Sequence, residues 1–317
     1  MKILDDCKLS PKTVDSKFSN NVPSKEHSKK IERFYDSLSK HYDKKWWYNN
    51  PDSRHIKKFT TKFIYFHVKP ESTILDVGCG TCDTAIKLAA KNCKIIGFDL
   101  SSKMIAVGSE KIPTRYKDRV FLTKGNAEML PFRDNQFDCI LSEFTLDYVS
   151  NPAATMKEMV RVLKEGGKLI LVVSNRKPLY IIFWEFVTGN WKFINGLKEK
   201  EEEIDFSPAK IKTSFRRYSS NELDGIMADL PIGKIEMFGT HGFSGFIGYP
   251  IVIWGIFLNK IKEGKSDSGK IDHYVNIKGG EIVFNIFEKS ECIDRHFKTI
   301  GRDIVFLGEK TKQENKS

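Results

Sequence analysis

The chain has 317 residues, of which 40% are hydrophobic and 29% charged, and its formal net charge is +11. This content of hydrophobic residues supports a real core and excludes a wholly disordered chain, and the length suits one large α/β domain with insertions or two small domains. The positive charge attracts anionic partners of any kind, but it comes from scattered lysines, which are typical of a solvated surface.

The cysteines and the apolar runs narrow the class of protein further. Cys79 and Cys82 form a CxxC pair, but no second pair follows at the spacing of a zinc site, so we expect no metal. The amino end is polar and has no signal peptide, and the longest uncharged run, residues 242–259, is interrupted by glycine and proline. We therefore expect a cytoplasmic protein without a spanning segment.

The first part of the chain divides into a tail and a helical section. Residues 1–28 are polar and predict a flexible tail. Residues 29–69 predict an amino-terminal helical cap, because apolar residues recur there at helical spacing. The first helix of this cap would carry Ile31, Phe34, Tyr35, Leu38 and Tyr42. Such an aromatic stripe is either a packing layer or a cover over a ligand site.

Residues 70–175 alternate between short apolar runs and helical patterns, which is the signature of a parallel sheet. The predicted strands of this section are 73–78, 94–99, 120–122, 137–142 and 168–173. Helices are predicted over 101–111 and after Asn151, which would cap a helix with Pro152 in its first turn and glycines at its end.

The stretch 73–81 organises this section. A buried strand ends there in Gly78 and Gly80, which let the backbone turn sharply and approach a ligand. The segment lacks the third glycine of the dinucleotide-binding fingerprint, which disfavours a dinucleotide oxidoreductase. Asp99 ends the next strand, about 20 residues further on, where a carboxylate can bind a ribose diol. The alternative is that Asp99 merely caps the helix that follows Ser101.

The second half of the chain, residues 176–310, is less regular. A helix is predicted over 219–230, and strands over 232–238 and 302–307. Two insertions, 176–218 and 240–300, are assigned to the acceptor side of the protein, and 311–317 to a polar tail.

Four segments, in this order and spacing, resemble a known family. They are TILDVGCGT, GFDLS, GNAEMLPFRDNQFDCILSEF and RVLKEGGKLILVV, at 73–81, 97–101, 125–144 and 161–173. This set resembles the class I S-adenosylmethionine-dependent methyltransferases, with the greatest similarity to the subgroup of ubiquinone/menaquinone C-methyltransferases. The resemblance implies a doubly wound, mostly parallel seven-stranded α/β sheet of Rossmann-like type, with a helical cap and insertions in the carboxyl half.

The resemblance also implies which residues bind S-adenosylmethionine. They fall in the glycine loop, at the ends of the second and fourth strands, in the loop after the third strand, and in the cap: Asp76, Gly78, Gly80, Thr81, Asp99, Leu100, Met104, Asn126, Ala127, Glu128, Glu143, Tyr35 and Tyr42. Asn126 stands where many relatives carry an acid, although the quinone subgroup also has asparagine there. Glu143 replaces a small hydroxyl residue of the quinone enzymes.

Methyl transfer depends mainly on alignment of the acceptor, the methyl group and the sulfur, so a base is needed only if the acceptor must lose a proton. The candidates are Asp147, Tyr148 and His241, each of which also has an ordinary structural explanation. We expect the acceptor to be a small or lipid-like molecule, such as a quinone precursor or a membrane lipid.

Two other functions stay open at this point. A nucleic-acid methyltransferase would suit the net charge, but Ser-Glu-Phe-Thr at 142–145 differs from the Asn/Asp-Pro-Pro-aromatic pattern of base-amino methylation, and no RNA-binding module is recognisable. A non-catalytic subunit that has kept the cofactor fold is the other, which the intact glycine turn and Asp99 disfavour.

The apolar residues of 246–258, followed by lysines at 260, 262 and 265, also predict a weak and reversible contact with anionic lipid surfaces. The alternative is that these side chains pack on the sheet.

Overall fold

The structure is a computed structural model that describes residues 24–44, 51–176, 183, 201–204, 209–240 and 301–312. Its helices are α1 (Lys25–Leu38), α2 (Pro51–His67), α3 (Asp83–Ala89), α4 (Ser102–Lys111), α5 (Pro152–Val162) and α6 (Ser220–Met227). Its strands are β1 (Thr73–Val77), β2 (Lys94–Asp99), β3 (Val120–Lys124), β4 (Phe137–Glu143), β5 (Leu163–Ser174), β6 (Glu201–Ile204), β7 (Thr213–Arg216), β8 (Ile232–Gly239) and β9 (Asp303–Lys310).

Seven of these strands form one sheet in the order β3-β2-β1-β4-β5-β9-β8. The strands from β3 to β5 are parallel, and β9 is antiparallel to both β5 and β8. The order reverses between β1 and β4, so the carboxyl ends of these two strands border a crevice where ligands bind in open α/β sheets. The predicted mostly parallel, doubly wound sheet is confirmed.

Both faces of the sheet are buried, which explains the near-continuous apolar runs of the central strands. Side chains alternate between two cores: Leu75 and Leu171 belong to one, whereas Ile74 and Ile170 belong to the other. A third, smaller cluster joins Phe34 and Leu38 of α1 to Met104 of α4, so the helical cap rests on the cofactor side of the core. Within the described residues, no helix is long and apolar enough to cross a bilayer.

The helix boundaries follow the capping residues of the sequence. Ser101 caps α4 and Asn151 caps α5, with Pro152 in its first turn, as the sequence predicts. The end of α5 differs, because the helix stops at Val162, well before Gly166 and Gly167, and Leu163 already has extended backbone. Leu163 pairs with Phe137, and the pairing then shifts to Lys168. The glycines therefore lie within a bulged strand, where Gly166 has a positive φ of 69°.

Two other features differ from the sequence interpretation. Residues 25–28, which composition assigned to the tail, form the first turn of α1, and the Ser24 hydroxyl accepts a hydrogen bond from the His27 amide. The antiparallel pair β6–β7 lies inside the first predicted insertion, where the acidic run that ends at Glu203 hid the strand. Glutamate has a low β-propensity, but the hydrogen-bonded pairing with β7 allows these residues to form a strand.

The β8–β9 pair closes tightly at the point where the chain leaves it. The Thr240 amide donates to the Asp303 carbonyl at 2.9 Å, and the Arg302 amide donates to the Thr240 carbonyl at 2.6 Å. A Cβ atom at Gly301 would lie 2.0 Å from the Thr240 carbonyl oxygen, so only glycine allows this approach. Residues 241–300, which include His241 and the apolar run with its lysines, lie outside the described residues.

Candidate functional site

The glycine loop follows β1 and turns against the end of β4. Gly78 and Gly80 have positive φ values of 75° and 52°. A Cβ atom at Gly78 would lie only 1.8 Å from the Thr145 hydroxyl oxygen, and that hydroxyl donates to the Val77 carbonyl at 2.8 Å. The chain therefore needs glycine at 78 both for its backbone conformation and for the close approach of the next loop.

Asp99 joins the end of β2 to this loop. One of its carboxylate oxygens accepts a hydrogen bond from the Gly80 amide at 2.8 Å, and the other accepts one from the Ser101 amide at 2.8 Å. The cap of α4 is instead the Ser101 hydroxyl, which accepts from the Met104 amide. Burial raises the pKa of Asp99, while the hydrogen bonds from these amides oppose that shift. Asp99 is thus a partly buried carboxylate with fixed orientation rather than a simple helix cap.

A cleft of about 770 Å³, including its open mouth, lies between this loop and the helical cap. The predicted cofactor residues that line it are Tyr35, Tyr42, Gly78, Gly80, Asp99, Leu100, Met104, Asn126, Ala127, Glu128 and Glu143. The topology thus brings together residues that are up to about a hundred positions apart in the chain.

Two predicted cofactor residues do not line the cleft. Asp76 lies behind it, only 3% exposed, and burial together with the nearby Glu143 carboxylate raises its pKa to about 7. The Thr81 hydroxyl does not face the cleft but donates a hydrogen bond to the Asp43 carboxylate of the cap. Asp43 also binds the Lys111 ammonium at 2.7 Å, so Thr81 helps to fasten the cap to the glycine loop.

Aromatic rings of the cap, together with Tyr148 of the turn after β4, line the cleft. The centroid of the Tyr35 ring lies 6.1 Å from that of Tyr42 and 5.2 Å from that of Tyr148. The His27 ring is hydrogen-bonded to the Tyr148 carbonyl at 2.7 Å, and the side-chain amide of Asn126 donates to the Ser28 hydroxyl at 3.1 Å. Sequence reasoning missed His27 and Ser28 because it placed them in the tail, although Ser24 offered a cap for an earlier start of the helix.

Glu143, at the end of β4, is held by three side chains of α2 and α3. One of its oxygens accepts from the Lys57 ammonium at 3.0 Å and from the Thr84 hydroxyl at 2.6 Å, and the other accepts from the Thr60 hydroxyl at 2.9 Å. Burial raises the pKa of Glu143, but the Lys57 charge and these hydrogen bonds outweigh that effect and hold the pKa below its usual value. We call these four residues the Glu143 network.

Sequence reasoning placed Glu143 at the site but missed its partners. Lys57 and Thr60 belong to the cap, and they are separated from Glu143 by more than eighty positions. No local pattern links them, since each also fits the polar positions of an ordinary amphipathic helix.

The three candidate bases have different surroundings. Asp147 is 1% exposed and does not line the cleft; its carboxylate accepts hydrogen bonds from the Ser174 amide and hydroxyl. Tyr148 lines the cleft, and burial raises the pKa of its phenol. His241 lies outside the described residues. Of the three, Tyr148 is placed at the cleft and Asp147 beneath it.

Asp147 predicts a pH dependence of stability. Burial raises its pKa in the folded protein to about 8, against about 3.9 in an unfolded chain. Between these values the folded state keeps a proton that the unfolded state loses, so this group lowers the free energy of unfolding as the pH rises from about 4 to 8. Asp147→Asn has no such group, so its stability relative to wild type should improve between pH 5 and pH 8, as measured by urea unfolding. A difference that stays constant across this range would contradict the shift.

In the part of the chain that the structure describes, no group of three or more metal-ligating side chains comes together. The Cys79 and Cys82 sulfurs lie 3.7 Å apart as free thiols in the glycine loop. Cys82 is fully buried and a Cβ atom at Gly108 would lie 2.8 Å from its sulfur, so its role here is close packing of α3 against α4.

Comparison with known proteins agrees with this geometry. Residues 75–171 match a family of methyltransferase domains. Demethylmenaquinone methyltransferases of Bacillus cereus strain AH187 and Bacillus anthracis strain A0248 are each 36% identical to the chain over 169 residues, which cover 50% of this chain and 71% of theirs.

The solved structures show the fold. A putative methyltransferase in complex with the Trm112 activator, from Haloferax volcanii, has a TM-score of 0.55 at 16% identity over 90% of this chain and 99% of its own. An S-adenosylmethionine-dependent methyltransferase from Methanosarcina mazei has a TM-score of 0.50 at 18% identity over 79% and 98%. With the curated relatives, these findings place the chain among the class I S-adenosylmethionine-dependent methyltransferases, as a relative of the demethylmenaquinone methyltransferases.

Proposed function

We propose that this methyltransferase binds S-adenosylmethionine in the cleft beneath the cap and transfers its methyl group to a small, largely apolar acceptor. The observation that carries the proposal is the cleft itself. One side is the glycine loop with the oriented Asp99 carboxylate, and the other is a cover of tyrosine rings. A cationic, nucleoside-bearing ligand suits such a pair of walls.

The residues of the cleft fit the cofactor. A Cβ atom at Gly80 would meet only the Tyr42 ring, at 3.9 Å, so the loop leaves room at this glycine for a ligand to approach its backbone. Asp99 is assigned to the ribose hydroxyls, since each carboxylate oxygen keeps a lone pair beyond its backbone contact. Asn126 and Ala127 are assigned to the adenine, and Glu143 to the methionine end.

Catalysis by this chain would rest on positioning. When bound, S-adenosylmethionine supplies an activated methyl group on a positively charged sulfur. Tyr35, Tyr42 and Tyr148 would shield the bound cofactor from water, and their aromatic rings would stabilise a nearby cation. The hydrogen bonds of the Glu143 network would hold this wall of the cleft rigid, which favours alignment of the reacting atoms.

The acceptor is proposed from two sources. The matched curated relatives are named for demethylmenaquinone, and the cleft is lined by apolar and aromatic side chains, among them Ile31, Met104 and Val149, which suit a prenylated ring. The acceptor-side insertions, the contact with anionic lipid and the cytoplasmic location remain predictions, because the segments on which they mainly rest lie outside the described residues.

Methyl-labelled cofactor tests this function directly. The purified protein is incubated with the labelled cofactor and a cell extract, and the label is then located by mass spectrometry in organic-soluble, aqueous, RNA and protein fractions. A parallel reaction contains purified demethylmenaquinone as the only acceptor. We expect label in an organic-soluble small molecule, whereas label confined to RNA or protein would overturn the proposal. Asp118→Ala, at an exposed site away from the cleft, serves as the active control.

A further inference from the structure

We propose that a second groove, which Lys57 lines and which shares no lining residue with the cofactor cleft, binds a phosphate-bearing ligand. This groove lies between α2 and α3 and encloses about 1270 Å³, including its open mouth. We call it the basic groove, and its charged and hydroxyl lining residues are Arg54, Lys57, Lys58, Thr61, Lys62, Asp83, Lys87 and Arg115. The proposal concerns a separate site and does not depend on the acceptor.

Among the described residues that line the basic groove, six of the seven charged side chains are cationic, and one of these cations, Lys57, is ion-paired with Glu143. Cationic side chains reach it from α2, from α3 and from the turn that contains Arg115. The acid among the lining residues, Asp83, is already paired with the Lys111 ammonium. Burial lowers the pKa of Lys87 and the neighbouring Lys57 charge adds to this effect, whereas the Asp83 and Glu143 carboxylates oppose it. An anion bound in the groove would stabilise the charged form of Lys87.

The groove also contains a buried hydroxyl suited to a ligand. Thr61 lies on its wall and is 7% exposed, and its hydroxyl oxygen has no hydrogen-bond partner among the residues that the structure describes. Burial of an unsatisfied hydroxyl is unfavourable, and a ligand oxygen would satisfy it. The unsatisfied hydroxyl is therefore evidence for a ligand that does not depend on the charge of the groove.

The arrangement favours phosphate over a simple carboxylate. One arginine fork satisfies a carboxylate, whereas several cations from different elements suit the many oxygens of phosphate groups. Arg115 packs over the Tyr116 ring at 4.8 Å, and these two residues line the groove together with Tyr65. Aromatic and aliphatic walls with cationic ends thus surround the opening, as for a phosphate that is carried either by a soluble molecule or by a lipid headgroup.

Two binding measurements on the full chain test the proposal and separate these sources. Calorimetry uses inorganic tripolyphosphate, and vesicle flotation compares phosphatidylcholine alone with phosphatidylcholine containing phosphatidylglycerol. The groove variant is Lys58→Glu with Lys62→Glu, both at exposed positions of α2. The control variant, Lys103→Glu with Lys157→Glu, changes the net charge equally at exposed positions outside the groove.

We expect wild type to bind at least one of the two probes, and the groove variant to bind it at least tenfold more weakly, while the control changes by less than about twofold. Binding of tripolyphosphate alone identifies a soluble phosphate ligand, and binding of the acidic vesicles alone identifies a lipid phosphate. Equal losses in the two variants would show general attraction to a basic protein and overturn the proposal. Absence of binding to both probes at low salt would also overturn it.

Discussion

Replacing Asp99 by alanine is expected to weaken S-adenosylmethionine binding at least tenfold. The carboxylate lines the cleft, is partly buried and is oriented by the Gly80 and Ser101 amides, so the cofactor would meet it without further ordering. Hydrogen bonds to a charged group contribute about 1.5–3 kcal/mol, and each 1.4 kcal/mol corresponds to a factor of ten in affinity. Titration calorimetry of the two proteins with the cofactor measures this difference.

The comparison needs a control for folding and for charge. Asp118→Ala removes a carboxylate that is 72% exposed and does not line the cleft, so its affinity for the cofactor should match wild type. Circular dichroism checks that Asp99→Ala keeps the fold, because Asp99 also holds the glycine loop. Equal affinities in wild type and a folded Asp99→Ala protein would rule out the ribose assignment.

Replacing Glu143 by glutamine should lower the free energy of unfolding by about 3 kcal/mol. The side chains of Lys57 and Glu143 are only 15% and 10% exposed, so the substitution leaves a buried ammonium without its carboxylate. Loss of one partner of a buried ion pair costs about 3–5 kcal/mol, and glutamine keeps an acceptor for the Thr84 hydroxyl, which favours the lower end. Urea unfolding measures the change.

An exposed pair provides the matched control. Lys234 and Asp224 are 47% and 46% exposed, so Asp224→Asn should change stability by less than about 1 kcal/mol. The double variant Lys57→Met/Glu143→Gln removes both charges and should recover most of the loss, since a buried pair can be replaced by apolar groups at little cost. If Glu143→Gln were no more destabilising than Asp224→Asn, the Glu143 network would not contribute to stability.

Sequence patterns predicted the cofactor half of the fold well because its signals are local. Apolar runs with glycine ends mark the parallel strands, and Ser101 and Asn151 fix the starts of their helices through hydrogen bonds within one turn. The doubly wound, mostly parallel seven-stranded sheet also followed from the family resemblance. Most of the predicted cofactor residues that line the cleft also followed from the resemblance, because they fall in its motifs at the carboxyl ends of strands.

The features that were missed depend on contacts between distant parts of the chain. Lys57 of the cap is hydrogen-bonded to Glu143 at the end of β4, and the His27 ring is hydrogen-bonded to the Tyr148 carbonyl. Both partners are distant in the sequence, so no local pattern indicates the role of Lys57 or of His27. The bulge that moves Gly166 from a helix end into β5 depends on pairing with β4. Asp76 and Thr81 match the family motif by position, yet neither side chain lines the cleft.

The closure of β8 against β9 has a consequence for how such a protein can diversify. Sixty residues, 241–300, leave the sheet at Thr240 and return at Gly301, and backbone hydrogen bonds between Thr240, Arg302 and Asp303 already join the two ends. Halving or doubling the length of a loop with fixed ends changes its closure cost by only about 0.6 kcal/mol. The length of the chain between Thr240 and Gly301 can therefore change in evolution at little cost to the pairing of β8 with β9.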